Sequence, residues 1–146
     1  MNTYQQVADR TATTVPPHLQ AEMTVPIVNL SDDKPAARQG DVMIVPHATP
    51  FPTGPINGKP KTLTGTGFKV VQGDADRNSH ILNGDGTFTP CQPVSRVADY
   101  GILDVPEGGV CYLTHTDEHG SIGFGPGQWR VYGQVSYEQE LRRAAD

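Results

Sequence analysis

Charged residues are scarce in this 146-residue chain, at 18%, and apolar ones are scarce as well, at 36%. Both values fall below those of an ordinary globular domain, while 16 glycines and 13 prolines stand above it. That mixture suits short strands and many turns and excludes a helix bundle. Strong charge of either sign is also missing. A net charge of −5 argues against the phosphate backbone of a nucleic acid as the main partner. No apolar run approaches the ~18 residues of a membrane-spanning helix. No charged-then-apolar leader opens the chain, so a secreted protein is not expected. Cysteine is limited to Cys91 and Cys111, 20 positions apart with no Cys-x-x-Cys spacing, which predicts two reduced thiols. Walker loops, dinucleotide-binding glycine fingerprints, Gly-x-Ser-x-Gly elbows and internal repeats are absent from the sequence.

What is present divides at about residue 37. Residues 1–37 carry Pro16, Pro17, Pro26 and Pro35 and little sustained period, and read as an extended N-terminal arm that contacts a protein partner. A short strand within Thr24–Leu30 is the one element expected there, and truncation near Ala37 is expected to leave the remaining domain stable. Residues 38–146 read as a β domain with a short C-terminal helical tail. Short apolar or alternating runs recur between turn signals: "DVMIVPH", "GFKVVQG", "RVADYGILDV", "GVCYLTHT", "GSIGFG" and "GQWRVYGQVSY". "SHILNGDGTFTP" reads as a hairpin with Asn-Gly-Asp-Gly at its tip. "ATPFPTGPINGKPKTLTGT" reads as a loop, and "YEQELRRAAD" as about two helical turns. The architecture is therefore predicted to be all-β, a small sandwich or barrel, with a cupin-like barrel as one form. Trp129 should share a buried strand face with Val131, with Arg130 on the other face.

One constellation has the chemistry for a site. His115, Asp117, Glu118 and His119 fall within five positions of "LTHTDEHGSI". On a strand, His115, Asp117 and His119 would project together, and His80 could reach them from another strand. Imidazoles with a carboxylate suit zinc, iron or manganese. Asp-Glu-His-Gly is equally good turn chemistry, and a solvent-facing loop is the competing reading. Catalysis by other means has little support. Ser79 and His80 are adjacent and so point to opposite faces of a strand, and Asp117 and Glu118 are neighbours rather than opposed across a cleft. Asp74 and Asp76 read as solvated, and His18 and His47 have no assigned role.

The order of motifs "RQGDV" (38–42), "GDADRNSH" (73–80), "TDEHGSI" (116–122) and "WRVYGQVSY" (129–137), with "LRRAAD" at the terminus, resembles a family of small uncharacterised proteins of tailed phages and bacterial genomes. Its corresponding motifs run RQGDV, GEVTGHAH, HEEHAPI and YRVxRQREY. The resemblance implies a phage protein, located in the virion or the host cytoplasm, and the family's histidines imply a metal centre. This chain departs from that pattern at Asn78 and Thr116, where the family has histidines. His80, Glu118 and His119 remain, and His115 is displaced by one position. Two functions follow as expectations. The first is a non-catalytic phage structural or interaction protein, a virion decoration or minor capsid component, able to form homo-oligomers and with no membrane or nucleic-acid partner. The alternative is a metal-binding, cupin-like protein or small metalloenzyme. Its one divalent transition metal (Zn, Fe or Mn) would be held by His80, His115, Glu118 and His119.

Overall fold

A computed structural model describes residues 2–47, 59–71, 80–90, 98–115 and 120–133, with the backbone alone at Val71, Ala98 and Asp99. The described residues form one helix, α1 (Tyr4–Thr11), and eleven strands. The strands are β1 (Ile27–Val28), β2 (Ala37–Gln39), β3 (Val42–Pro46), β4 (Lys61–Thr62), β5 (Phe68–Val71) and β6 (His80–Gly84). They continue with β7 (Thr87–Pro90), β8 (Ala98–Val105), β9 (Cys111–His115), β10 (Ser121–Phe124) and β11 (Gly127–Gly133). A five-stranded sheet has the order β1-β10-β9-β6-β5, and a six-stranded sheet has the order β2-β3-β11-β8-β7-β4. Of the two expected all-β architectures this is the sandwich. Neither sheet closes into a barrel.

Strand alternation explains the core. In the six-stranded sheet Val42, Ile44, Phe88, Leu103, Val105, Trp129 and Val131 face inward, and in the five-stranded sheet Leu82, Cys111, Leu113 and Phe124 meet them. Trp129 is fully buried as expected, edge-on to Phe124 with ring centroids 5.2 Å apart, and its indole N–H donates to the Gly125 carbonyl at 3.0 Å. Arg130 lies on the opposite face of β11 but is only 1% exposed, its guanidinium 5.3 Å from the centre of the Tyr132 ring. Val45 and Ile102, its cross-strand neighbours, are buried with it.

Two sequence expectations require correction. The Asn-Gly-Asp-Gly stretch is not a hairpin tip, because β6 and β7 belong to different sheets. It is a corner at which the chain crosses the sandwich. Gly84 (φ 139°) and Gly86 (φ 111°) supply the backbone, and a Cβ on Gly86 would run into the Asp104 carbonyl of β8. A hairpin and a crossover ask the same of local φ angles, which is why composition did not separate them.

The second correction concerns the N-terminal segment, which is not an extended arm. Thr3 and Gln6 form a reciprocal capping box, Gln6 N–H to Thr3 Oγ1 at 3.2 Å and Thr3 N–H to Gln6 Oε1 at 2.8 Å, and this starts α1. Val7 and Ala8 are buried on the helix, and Val7 packs with Val25 and Tyr112 in a second, smaller core on the outer face of the five-stranded sheet, with Tyr4 and Val110 at its edge. The expected strand within Thr24–Leu30 is present as β1, which pairs in parallel with β10. Gly123 N–H donates to Pro26 O at 2.8 Å and Gly125 N–H to Val28 O at 2.9 Å. The expected C-terminal helical tail lies outside the described residues. No helix among the described residues is long and apolar enough to cross a membrane.

Candidate functional site

His80 opens β6 and His115 closes β9, and the two are direct cross-strand partners. Their phase places them on the inner face, in line with the Leu82–Leu113 and Gly84–Cys111 pairs. They therefore extend the core to one end of the sandwich, 6% and 3% exposed, with ring centroids 4.6 Å apart at 66°. From the opposite sheet Gln39, the last residue of β2 and 2% exposed, reaches across to them.

The hydrogen bonds of Gln39 determine the chemistry of His80. Its Nε2 donates to the carbonyls of Leu113 (3.1 Å) and Gly120 (2.8 Å), and its Oε1 lies 2.9 Å from His80 Nδ1. Backbone carbonyls only accept, so the amide nitrogen must face them and Oε1 must be the acceptor. His80 is then protonated at Nδ1, and in its neutral form the lone pair sits on Nε2. Gly120 O also accepts the His115 N–H at 3.3 Å, which closes the β9–β10 connection. Gly40 (φ 58°) makes the tight turn that ends β2 behind Gln39, and the Arg38 Nε–H donates to its carbonyl at 2.8 Å. The "RQGDV" stretch is thus a turn that presents one glutamine inward.

The sequence brought four candidate ligands together. The structure places His80 and His115 side by side, whereas Glu118 and His119 lie outside the described residues, as do Asp117 and Ser79. Among the described residues β9 runs to His115, and the expected alignment of positions 115, 117 and 119 lies outside them. Among the described residues no group of three or more His, Cys, Asp or Glu side chains comes together. Two imidazoles are compatible with a borderline divalent metal, and a third His, Cys, Asp or Glu ligand would have to come from outside the described residues, where Glu118 and His119 lie.

Other reactive groups are occupied structurally. Burial pushes the Cys111 thiol up to about 12, and its Sγ sits 3.7 Å from the Asn83 carbonyl, so it is held as a protonated thiol rather than as an activated nucleophile at neutral pH. An open groove of about 360 Å³ at the β4 edge is lined by Thr62, Thr64, Gly86, Thr87, Asp104 and Pro106, with one carboxylate and no histidine. Sequence reasoning missed Gln39 as the partner of the histidines. Its only local signal is the glutamine before a glycine turn, and the contact spans 41 positions.

No curated protein and no solved structure matches this chain. A family model, described as a domain of unknown function (DUF8820), matches residues 38–134. The match covers β2 to β11 with Gln39, His80 and His115, and leaves α1 and β1 outside it. On that match the chain belongs to the DUF8820 family.

Proposed function

We propose that this protein is a non-catalytic structural or interaction protein of a phage particle, bound at the virion surface as a decoration or minor capsid component. The observation that carries the reading is the placement of residues 2–28. They lie outside the family-matched unit, yet they fill an apolar face and a strand edge of that unit with a helix and a strand. The five-stranded sheet therefore has a surface shaped to receive a polypeptide segment, which is what an assembly protein needs. The histidine pair supports the same reading. Gln39 uses His80, Leu113 and Gly120 to tie one sheet to the other, a scaffold role for the residues with the most chemistry. The motif order set out above supplies the phage context. Mass spectrometry of purified particles from a host that encodes the protein is the test. Fixed copy numbers per particle are expected, and its absence from particles would sink the reading.

A second reading, a metal-binding cupin-like protein, is favoured by the protonation of His80. A metal-ligating imidazole commonly donates its other N–H to a fixed acceptor, and Gln39 provides one for Nδ1. His80 Nε2 and His115 would supply two ligands, with Glu118 or His119 completing the set for zinc, iron or manganese. Elemental analysis of protein purified without chelator tests it. One equivalent of metal, lost in both His115→Gln and His119→Gln, favours this reading. Metal-free wild type that retains its fold rejects it.

A further inference from the structure

Gly120 stands between the histidine pair and the N-terminal segment. Its carbonyl accepts the Gln39 Nε2–H at 2.8 Å, reaching over from the opposite sheet, and the His115 backbone N–H at 3.3 Å. Leu19 and Tyr4 of the N-terminal segment close on its Cα. A Cβ built there would lie 2.6 Å from Leu19 Cδ1 and 3.1 Å from Tyr4 Cε1. The residue is buried with φ 71°, so backbone conformation and close approach both call for glycine. Glycine also has the widest choice of φ and ψ, and β10 begins only at Ser121. What packs against Gly120 therefore helps to decide where its carbonyl points.

Leu19 and Tyr4 arrive as one unit. Tyr4 N–H donates to Met23 O at 2.8 Å and Gln5 N–H to Ala21 O at 3.0 Å, which ties the first turn of α1 to the returning chain. Leu19 N–H donates to Pro16 O at 3.0 Å, and Tyr4 packs on the Val7, Val25 and Tyr112 cluster.

From this arrangement we infer that Leu19 and Tyr4 are positioning residues for the histidine pair: they fix the Gly120 carbonyl, and through Gln39 the tautomer of His80. The route is short. Gly120 O and Leu113 O together hold the Gln39 Nε2, which turns Oε1 towards His80 Nδ1 at 2.9 Å. If the Gly120 carbonyl swings away, the amide loses one of the two acceptors that orient it, and the imidazole is no longer held in its Nδ1–H form. The Nε2 lone pair is the one that a metal ion or another electrophile would meet. A segment outside the family-matched unit thus sets how that unit presents its histidine. The coupling is reciprocal, so whatever fixes His80 Nε2 also tightens the docking of residues 2–28. This positioning holds with or without a metal ion at the pair.

Nitrogen-15 NMR of the histidine rings in mildly alkaline buffer reads the tautomer directly. In the full-length wild type the His80 ring, assigned through its contact with His115, should show a protonated Nδ1 that exchanges slowly and an unprotonated Nε2. Leu19→Ala should fold, because Leu19 is only half-buried. It should populate the Nε2–H form and speed Nδ1 proton exchange about tenfold, the factor that one net buried hydrogen bond supplies. Tyr4→Ala, which clears Gly120 of its other neighbour, should do the same, and Leu19→Met should restore the wild-type pattern. Val105→Ala, in the main core at the end of the sandwich away from the histidines, should lower stability and leave the ring unchanged. A wild-type ring pattern in both Leu19→Ala and Tyr4→Ala overturns the positioning. So does an equal change in Val105→Ala, which would reduce the effect to general stability. An Nε2–H tautomer in the wild type overturns it as well, together with the orientation assigned to Gln39.

Discussion

Gln39 and His80 hydrogen-bond across the sandwich, Oε1 to Nδ1 at 2.9 Å, with the amide nitrogen of the same glutamine spent on two carbonyls of the His80 sheet. One side chain from β2 thus satisfies three polar groups at the end of the core, where apolar packing gives out. Replacing Gln39 with Leu leaves the His80 N–H and the Leu113 and Gly120 carbonyls without this partner. A loss of about 3 kcal/mol is expected in urea unfolding, at 1–3 kcal/mol for each buried group left unsatisfied and some relief by water. Gln39→Glu should be worse than Gln39→Leu, since a carboxylate would face two carbonyls. Equal stability of the glutamate variant and wild type would contradict the assigned amide orientation.

Trp129→Ala should cost ~3–5 kcal/mol, because the indole is fully buried against Phe124 and its N–H bond to Gly125 O is lost with it. A variant with wild-type stability but impaired assembly would place the tryptophan at an interface instead.

Truncation before Ala37 should destabilise the sandwich, contrary to the expectation drawn from the sequence. Removing the N-terminal segment uncovers Tyr112 and the β10 edge and deletes Val7 and Val25, both fully buried. Two buried valines alone account for roughly 3 kcal/mol or more. A melting temperature within a few degrees of wild type would show that segment to be dispensable.

Cys111 should resist modification in the folded protein. In a Cys91→Ser background, Ellman's reagent at pH 8 should develop colour only after denaturant is added. The raised thiol pKa also gives a sign for stability. The folded state holds the proton up to about pH 12 against an ordinary value of 9.0, so the unfolded chain ionises first. The contribution is fully present below pH 9 and is lost as pH rises towards 12. Cys111→Ala should flatten this alkaline loss, and an unchanged profile would assign it to other groups.

Much of the strand pattern could be read before the fold was known, because its causes are local. Alternation placed Trp129 and Val131 on one face, and glycine and proline punctuated the ends of β3, β10 and β11. Helix α1 has its signal in the sequence as Thr3-x-x-Gln6 with Tyr4, Val7, Ala8 and Thr11 at helical spacing, but the prolines from Pro16 onward suggested an arm. What local pattern could not carry was the choice of partner. The Asn-Gly-Asp-Gly turn permits a hairpin or a corner, and the corner follows from the pairing of β6 with β9 and β7 with β8. His80 and His115 are 35 positions apart and become neighbours only through β6–β9 register, while Gln39 reaches them only because the two sheets pack face to face. Backbone propensity acts over a few residues, whereas the burial of apolar faces selects which distant strands meet. That selection set two of the suspected ligands, His80 and His115, beside the glutamine that ties the sheets together.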